Sequence, residues 1–166
     1  QIHHPFLRIP FTKTPPVIDG KLVDVEWQKS VEISDFVAST SDSYVKDSVT
    51  VFLCHDEKNI YVAFLNADHA NDLKKSVMEN RPRDTFIWGT NFSMVMIGYK
   101  DSNIQLMADP NETMTDFKNN DINWNGRWKY AASINEDDWT AEFLIPFSEF
   151  DLNGPSENTE LLLGLS

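Results

Sequence analysis

From residue 48 onward, apolar and polar positions alternate with a period of two, the spacing of a β-strand with one buried face. Val49, Val51 and Leu53 share one face. After the turn-like stretch His55-Asp56-Glu57-Lys58-Asn59, Ile60, Val62 and Phe64 repeat the pattern. Tyr61, Ala63 and Leu65 make the opposite face apolar as well, which predicts a central strand that forms a hairpin with its predecessor. Phe92, Met94 and Met96 alternate with Ser93, Val95 and Ile97, and Ile104, Leu106 and Ala108 follow. That run ends at the turn signal Asp109-Pro110-Asn111, and residues 113–117 predict one further short strand. Trp128, Tyr130, Ala132 and Ile134 then share a face, as do Trp139, Ala141, Phe143 and Ile145 beyond the polar turn 135–138. Pro146 stops that strand, and Leu161 to Leu165 form the last one.

Short strands at regular spacing with polar turns between them predict an all-β fold, an antiparallel β-sandwich of the jelly-roll or immunoglobulin-like kind. Helix is confined to one or two short turns, over Val23 to Ser30 and over Asn71 to Met78. The 166 residues show no internal repeat and no linker, so residues 1–166 read as a single domain, long enough to bury a sizeable core.

Composition narrows the partners. The 26 Asp and Glu outnumber the 14 Lys and Arg, for a formal charge of −12. Such a surface repels nucleic-acid phosphates and anionic membranes, and leaves neutral ligands and cations open. Cys54 is the only cysteine and lies within an apolar run, which excludes an internal disulfide and reads as a buried thiol without chemistry. No stretch approaches the ~18 consecutive apolar residues of a membrane-spanning helix, so direct membrane insertion is not expected.

Four motifs in order carry a resemblance. Ile18-Asp19-Gly20 leads to Glu26-Trp27, where a short strand enters a glycine turn and a helical turn returns Trp27 to the core. His55-Asp56 precedes Asn59-Ile60-Tyr61-Val62-Ala63-Phe64, Ala108-Asp109-Pro110-Asn111 forms a turn, and Trp139 to Phe147 reads WTAEFLIPF. Together, from about residue 16 to the end, these resemble the family 9 carbohydrate-binding modules and their DOMON-like relatives. The resemblance implies a β-sandwich that holds a sugar between aromatic rings, an extracytoplasmic setting (secreted, periplasmic or cell-surface), and accommodation of structural calcium. A related group carries such a domain at the N-terminus of an outer-membrane protein. Two positions depart from the family pattern: Asn91 stands where an Asp is usual, and Met94 where a Glu is common. The family's closing strand continues to an Arg that the chain lacks, so the chain is expected to be a fragment of a longer protein, fused to a catalytic or outer-membrane domain.

A pyranose presents one apolar CH face that an aromatic ring can cover while amides, carboxylates and guanidinium groups reach its hydroxyls. The loop Arg81 to Trp88 supplies Arg81, Arg83 and Trp88; a second loop, Asn119 to Gly126, surrounds Trp124 with amides and Asp121. Trp88, Trp124, Arg83, Asn91, Arg81 and Asp121 are therefore the candidate ligand residues. Against this stands the blander reading of the two tryptophans as loop anchors and of the polar residues as solvated surface. Trp27, Trp128 and Trp139 read as core. Oxygen donors for calcium exist around Asp109, Asn111 and Asp116, or Asn120, Asp121 and Asn123, but without a fixed ligand spacing, so the metal residues stay unknown. Catalysis has little support: Glu142 is mid-strand, where solvent-facing or structural is the default, and no nucleophile elbow, His-based metal motif or phosphate loop occurs. The expected function is non-catalytic carbohydrate binding. The alternatives are a protein-interaction or structural domain without sugar binding, or a haem-binding sandwich using Met94, Met96, Met107 or Met114.

Overall fold

The computed structural model describes residues 6–22, 25–34, 48–67, 81–85, 87 and 91–166. Nine strands are described: β1 (Val31–Ile33), β2 (Val49–His55), β3 (Asn59–Ala67), β4 (Ser93–Tyr99), β5 (Ser102–Ala108), β6 (Met114–Lys118), β7 (Lys129–Ile134), β8 (Asp138–Pro146) and β9 (Leu162–Leu165). They build two antiparallel sheets, one in the order β1-β2-β3-β8-β7 and one in the order β6-β5-β4-β9. Among the described residues the only helical elements are two 3-10 turns, Val25–Lys29 and Phe147–Phe150. The fold is an all-β antiparallel sandwich.

Alternation explains the layers. Val51, Leu53, Val62, Phe64, Ala141 and Phe143 from the first sheet meet Val95, Ile97, Ile104 and Leu106 from the second in the main core. Trp128 and Trp139 are buried there, and the Trp128 indole stacks on Phe143 at 5.6 Å. β3 is central in its sheet, as its two apolar faces predict. Its outward residues Tyr61 and Ala63 are covered, with Cys54, by Trp27 and by Ile18 and Leu22 of the N-terminal segment. On the outer face of the second sheet, Met94 and Met107 pack with Ile87, Phe92, Met96 and Phe117 in a third apolar layer. The methionines fill space between sheet and covering segment, as flexible side chains do.

The β2–β3 hairpin closes at Asp56, whose Oδ1 accepts the backbone N–H groups of Lys58 and Asn59 at 2.7 Å each. Two differences from the sequence reading lie near the N-terminus. No strand forms over residues 16–18, because this segment crosses the outside of the sheet and is held by side chains, as described below. A strand does form at Val31–Ile33, pairing with β2; three residues are too few for alternation to reveal it. The helical turn is found at Val25–Lys29, Val23 and Asp24 lying outside the described residues, as does the predicted turn over 71–78.

Candidate ligand-binding site

Two loops meet at the open side of β6, the edge strand of the four-stranded sheet. The segment 81–85 turns at Thr85, whose hydroxyl donates to the Pro82 carbonyl at 2.7 Å. It then docks along the strand: the Asp84 N–H donates to the Met114 carbonyl at 2.8 Å, and the Thr115 hydroxyl donates to the Thr85 carbonyl at 2.8 Å. Asp84 takes a left-handed conformation there (φ 64°), which Asp tolerates better than most residues. The second loop leaves β6 through Asn119 and Asn120, both left-handed at φ 52° and 66°. Asp121 closes the turn by accepting from the N–H of Asn123 at 2.9 Å and from its Nδ2 at 3.3 Å.

The loops are joined by one carboxylate. Asp116 is fully buried in β6, and its Oδ2 accepts from Arg83 Nη2 at 2.5 Å, the Gly126 N–H at 2.8 Å and Trp128 Nε1 at 2.7 Å. Arg83 Nη2 also donates to the Gly126 carbonyl at 3.1 Å, and the guanidinium lies 5.5 Å from the centroid of the Trp128 ring. Charge-assisted bonds of this kind are roughly twice as strong as neutral ones. Asp116 Oδ1 and Arg83 Nε are buried beside them without a protein partner. Burial, with the Asp116 charge second, raises the Asp84 carboxyl above its ordinary value against the opposing pull of Arg83.

Trp124 is half-buried, its ring packed against the edge of the main core and across Gly126. A Cβ at position 126 would lie 2.5 Å from Trp124 Cη2 and 3.0 Å from Trp128 Cδ1, so only glycine lets the chain pass beneath the indole. The structure thus brings Arg83 and the Trp124 loop together, with Asp121 three residues before the indole and Arg81, half-buried, two residues before Arg83. Asn91 is exposed ahead of β4, and no described contact ties it to this cluster. Trp88 lies outside the described residues.

Asp116 entered the sequence reading only as an oxygen donor for calcium. Its role as the junction could be suspected from a carboxylate placed among the inward positions of a short strand, but its partners come from loops 33 residues and 10 to 12 residues away. Of the carboxylates considered for calcium, Asp109 Oδ1 accepts from the N–H groups of Asn111 and Thr113, Asp116 Oδ2 from the three donors above and Asp121 Oδ1 from Asn123, while Asp109 Oδ2 and Asp116 Oδ1 are buried without a protein partner. No group of three or more His, Cys, Asp and Glu side chains that could hold a metal is found among the described residues. Glu142 is also buried, and is an anchor: it accepts from the N–H groups of Asp19 and Gly20 and from Trp27 Nε1.

A depression of about 340 Å³ adjoins the same region through Asn119, with Tyr99 and Phe150 among its lining residues. On its rim Asn119 Oδ1 accepts from the Asn103 N–H and Asp151 pairs with Lys118, while the buried Ser102 hydroxyl has no protein partner.

Two stacked antiparallel sheets with an aromatic and polar loop cluster at a sheet edge place the chain in the class of β-sandwich modules. No protein-family model and no curated protein matches the sequence. Among solved structures, the chain has the fold of the family 9 carbohydrate-binding modules. It is 14% identical to such a module from Caldicellulosiruptor kristjanssonii in complex with cellotriose, covering 93% of this chain and 73% of that one at a TM-score of 0.65. The corresponding glucose complex gives 16% identity, 95% and 75% coverage and a TM-score of 0.67. A protein of Bacteroides uniformis ATCC 8492 proposed to bind carbohydrate shares 12% identity, with 87% and 73% coverage and a TM-score of 0.65.

Proposed function

We propose that this domain is a non-catalytic carbohydrate-binding module, holding a poly- or oligosaccharide as an accessory part of a larger extracytoplasmic protein. The observation that carries the reading is the Trp124 indole, fixed over Gly126 in a loop rich in amides and joined to the Arg83 loop. Its ring offers an apolar platform for a sugar CH face, and Asn123, Asn125 and Asp121 supply exposed polar groups for hydroxyls. The shared fold with modules solved with cellotriose and glucose supports it. Trp88, Arg81 and Asn91 belong to the same proposal as further ligand contacts. The net charge of −12 favours a neutral glycan over an anionic one. No described helix is long and apolar enough to cross a membrane.

The test is a calorimetric titration against glucose, cellotriose and a panel of soluble glycans, with and without calcium. Binding by the native domain that falls at least tenfold in Trp124→Ala, with the fold intact by circular dichroism, supports the module and its platform. Silence across the panel from folded protein overturns it. That outcome would favour a protein-interaction domain, a reading to which the exposed apolar Phe6, Leu7 and Phe11 speak.

A further inference from the structure

We propose that Asp116 is the positioning residue of the Trp124 platform, with Arg83 as its brace rather than a ligand contact; the ligand side of this inference rests on the carbohydrate reading above. An indole can serve as a sugar platform only if its plane is held, because every rotamer it loses on binding weakens the complex. Trp124 sits on a loop that leaves the sheet at Lys118 and returns at Lys129, and its ring is half-exposed. Packing on one side and a single glycine beneath are what locate it.

That glycine is gripped from both of its backbone ends. Its N–H donates to Asp116 Oδ2 at 2.8 Å, and its carbonyl accepts from Arg83 Nη2 at 3.1 Å. The same oxygen takes Arg83 Nη2 and Trp128 Nε1, so the loop, the 81–85 segment and the core indole converge on one atom. Arg83 Nη1 points to the Met114 sulfur at 4.0 Å. With Nη2 and Nη1 both directed inward, the guanidinium fastens the 81–85 segment to the Trp124 loop instead of reaching for solvent. Removing the Asp116 charge leaves the half-buried arginine without its counter-charge and loosens the grip on Gly126, so the indole loses its fixed plane while the sheets remain.

Two variants and one control test this. Asp116→Asn keeps an acceptor of the same shape but removes the charge that pairs Arg83. Gly126→Ala leaves Asp116 intact and displaces the indole directly. Glu142→Gln, at the anchor on the outer face of the other sheet, is the control for a general loss of stability. All are measured in the full chain at a temperature where each is folded by circular dichroism. The expected result is glycan affinity at least tenfold weaker in Asp116→Asn and in Gly126→Ala, and within twofold of native in Glu142→Gln. Acrylamide quenching of Trp124, isolated by difference against the matching Trp124→Phe backgrounds, should rise at least twofold in the first two variants and stay unchanged in the control. Native affinity and native quenching in folded Asp116→Asn would overturn the proposal. If the native domain binds no glycan, the carbohydrate reading fails by itself, and the quenching comparison still decides whether Asp116 holds Trp124.

Discussion

Glu142 shows at the residue scale how a buried charge can tie a terminus to a sheet. Its Oε2 accepts from the N–H groups of Asp19 at 2.9 Å and Gly20 at 2.6 Å, and its Oε1 accepts from Trp27 Nε1 at 2.9 Å. A glutamine has only one acceptor oxygen, so Glu142→Gln must turn an NH2 group toward a donor. A buried donor left unpaired costs about 1–3 kcal/mol. Glu142→Gln is therefore expected to lower unfolding stability by that amount, read as a shift of the urea midpoint at unchanged slope. Alternation indicated that Glu142 faces away from Trp139, Ala141 and Phe143, and this holds. That the outward face is covered was not legible, because the covering segment lies more than a hundred residues earlier in the chain.

At the element scale, the N-terminal segment is a strap and not a strand. Gly20 is left-handed (φ 82°), and its carbonyl accepts the Thr140 hydroxyl. A Cβ there would lie 2.7 Å from the carbonyl carbon and oxygen of Ala132 in β7. Alanine at position 20 thus meets both an unfavourable backbone region and fixed main-chain atoms. Gly20→Ala is expected to destabilise by more than about 1 kcal/mol and to raise proteolytic cleavage within residues 12–22 before global unfolding, seen by limited digestion and mass spectrometry. The turn signal at Asp19-Gly20 was readable in the sequence. The strand expected before it was not formed, since its backbone runs across the sheet face and finds its partners in Glu142 and Thr140 side chains. β1 was missed for the opposite reason: it borrows its pairing from β2, and its three residues are too few for their alternation to stand out.

At the scale of the whole molecule, acidity shapes the response to pH. Burial raises the Glu142 carboxyl above its ordinary value, against the hydrogen bonds from Gly20, Asp19 and Trp27, and burial with the Asp116 charge does the same to Asp84. A group whose folded value is raised contributes stability that is present below its unfolded value and lost as pH climbs through the folded one. Asp56 is the opposite case. Burial would raise it, but hydrogen bonds from Tyr61, Lys58 and Asn59 together hold it below the ordinary value, so its contribution is lost as pH falls through that lowered value. A charge of −12 adds self-repulsion that relaxes on acidification. The melting temperature is thus expected to rise on going from pH 7 to mildly acidic pH and to fall again at strong acid. A monotonic loss of stability from pH 7 downward would contradict this assignment.

The chain's own pattern was enough for the strands from Val49 onward, their turns, the burial of Trp128 and Trp139 and the sandwich class. These depend on period-two alternation and on turn residues within a few positions of one another, which are local properties. The candidate loops were legible too, since Trp124 breaks the alternation in a run of amides. Tertiary structure alone decided that Arg83 and Gly126 share the Asp116 carboxylate and that Glu142 is an anchor under the N-terminal strap. Each of these turns on hydrogen bonds between segments distant in sequence. Their partners are selected by the way two sheets stack and loops fold back, and no local spacing encodes that selection.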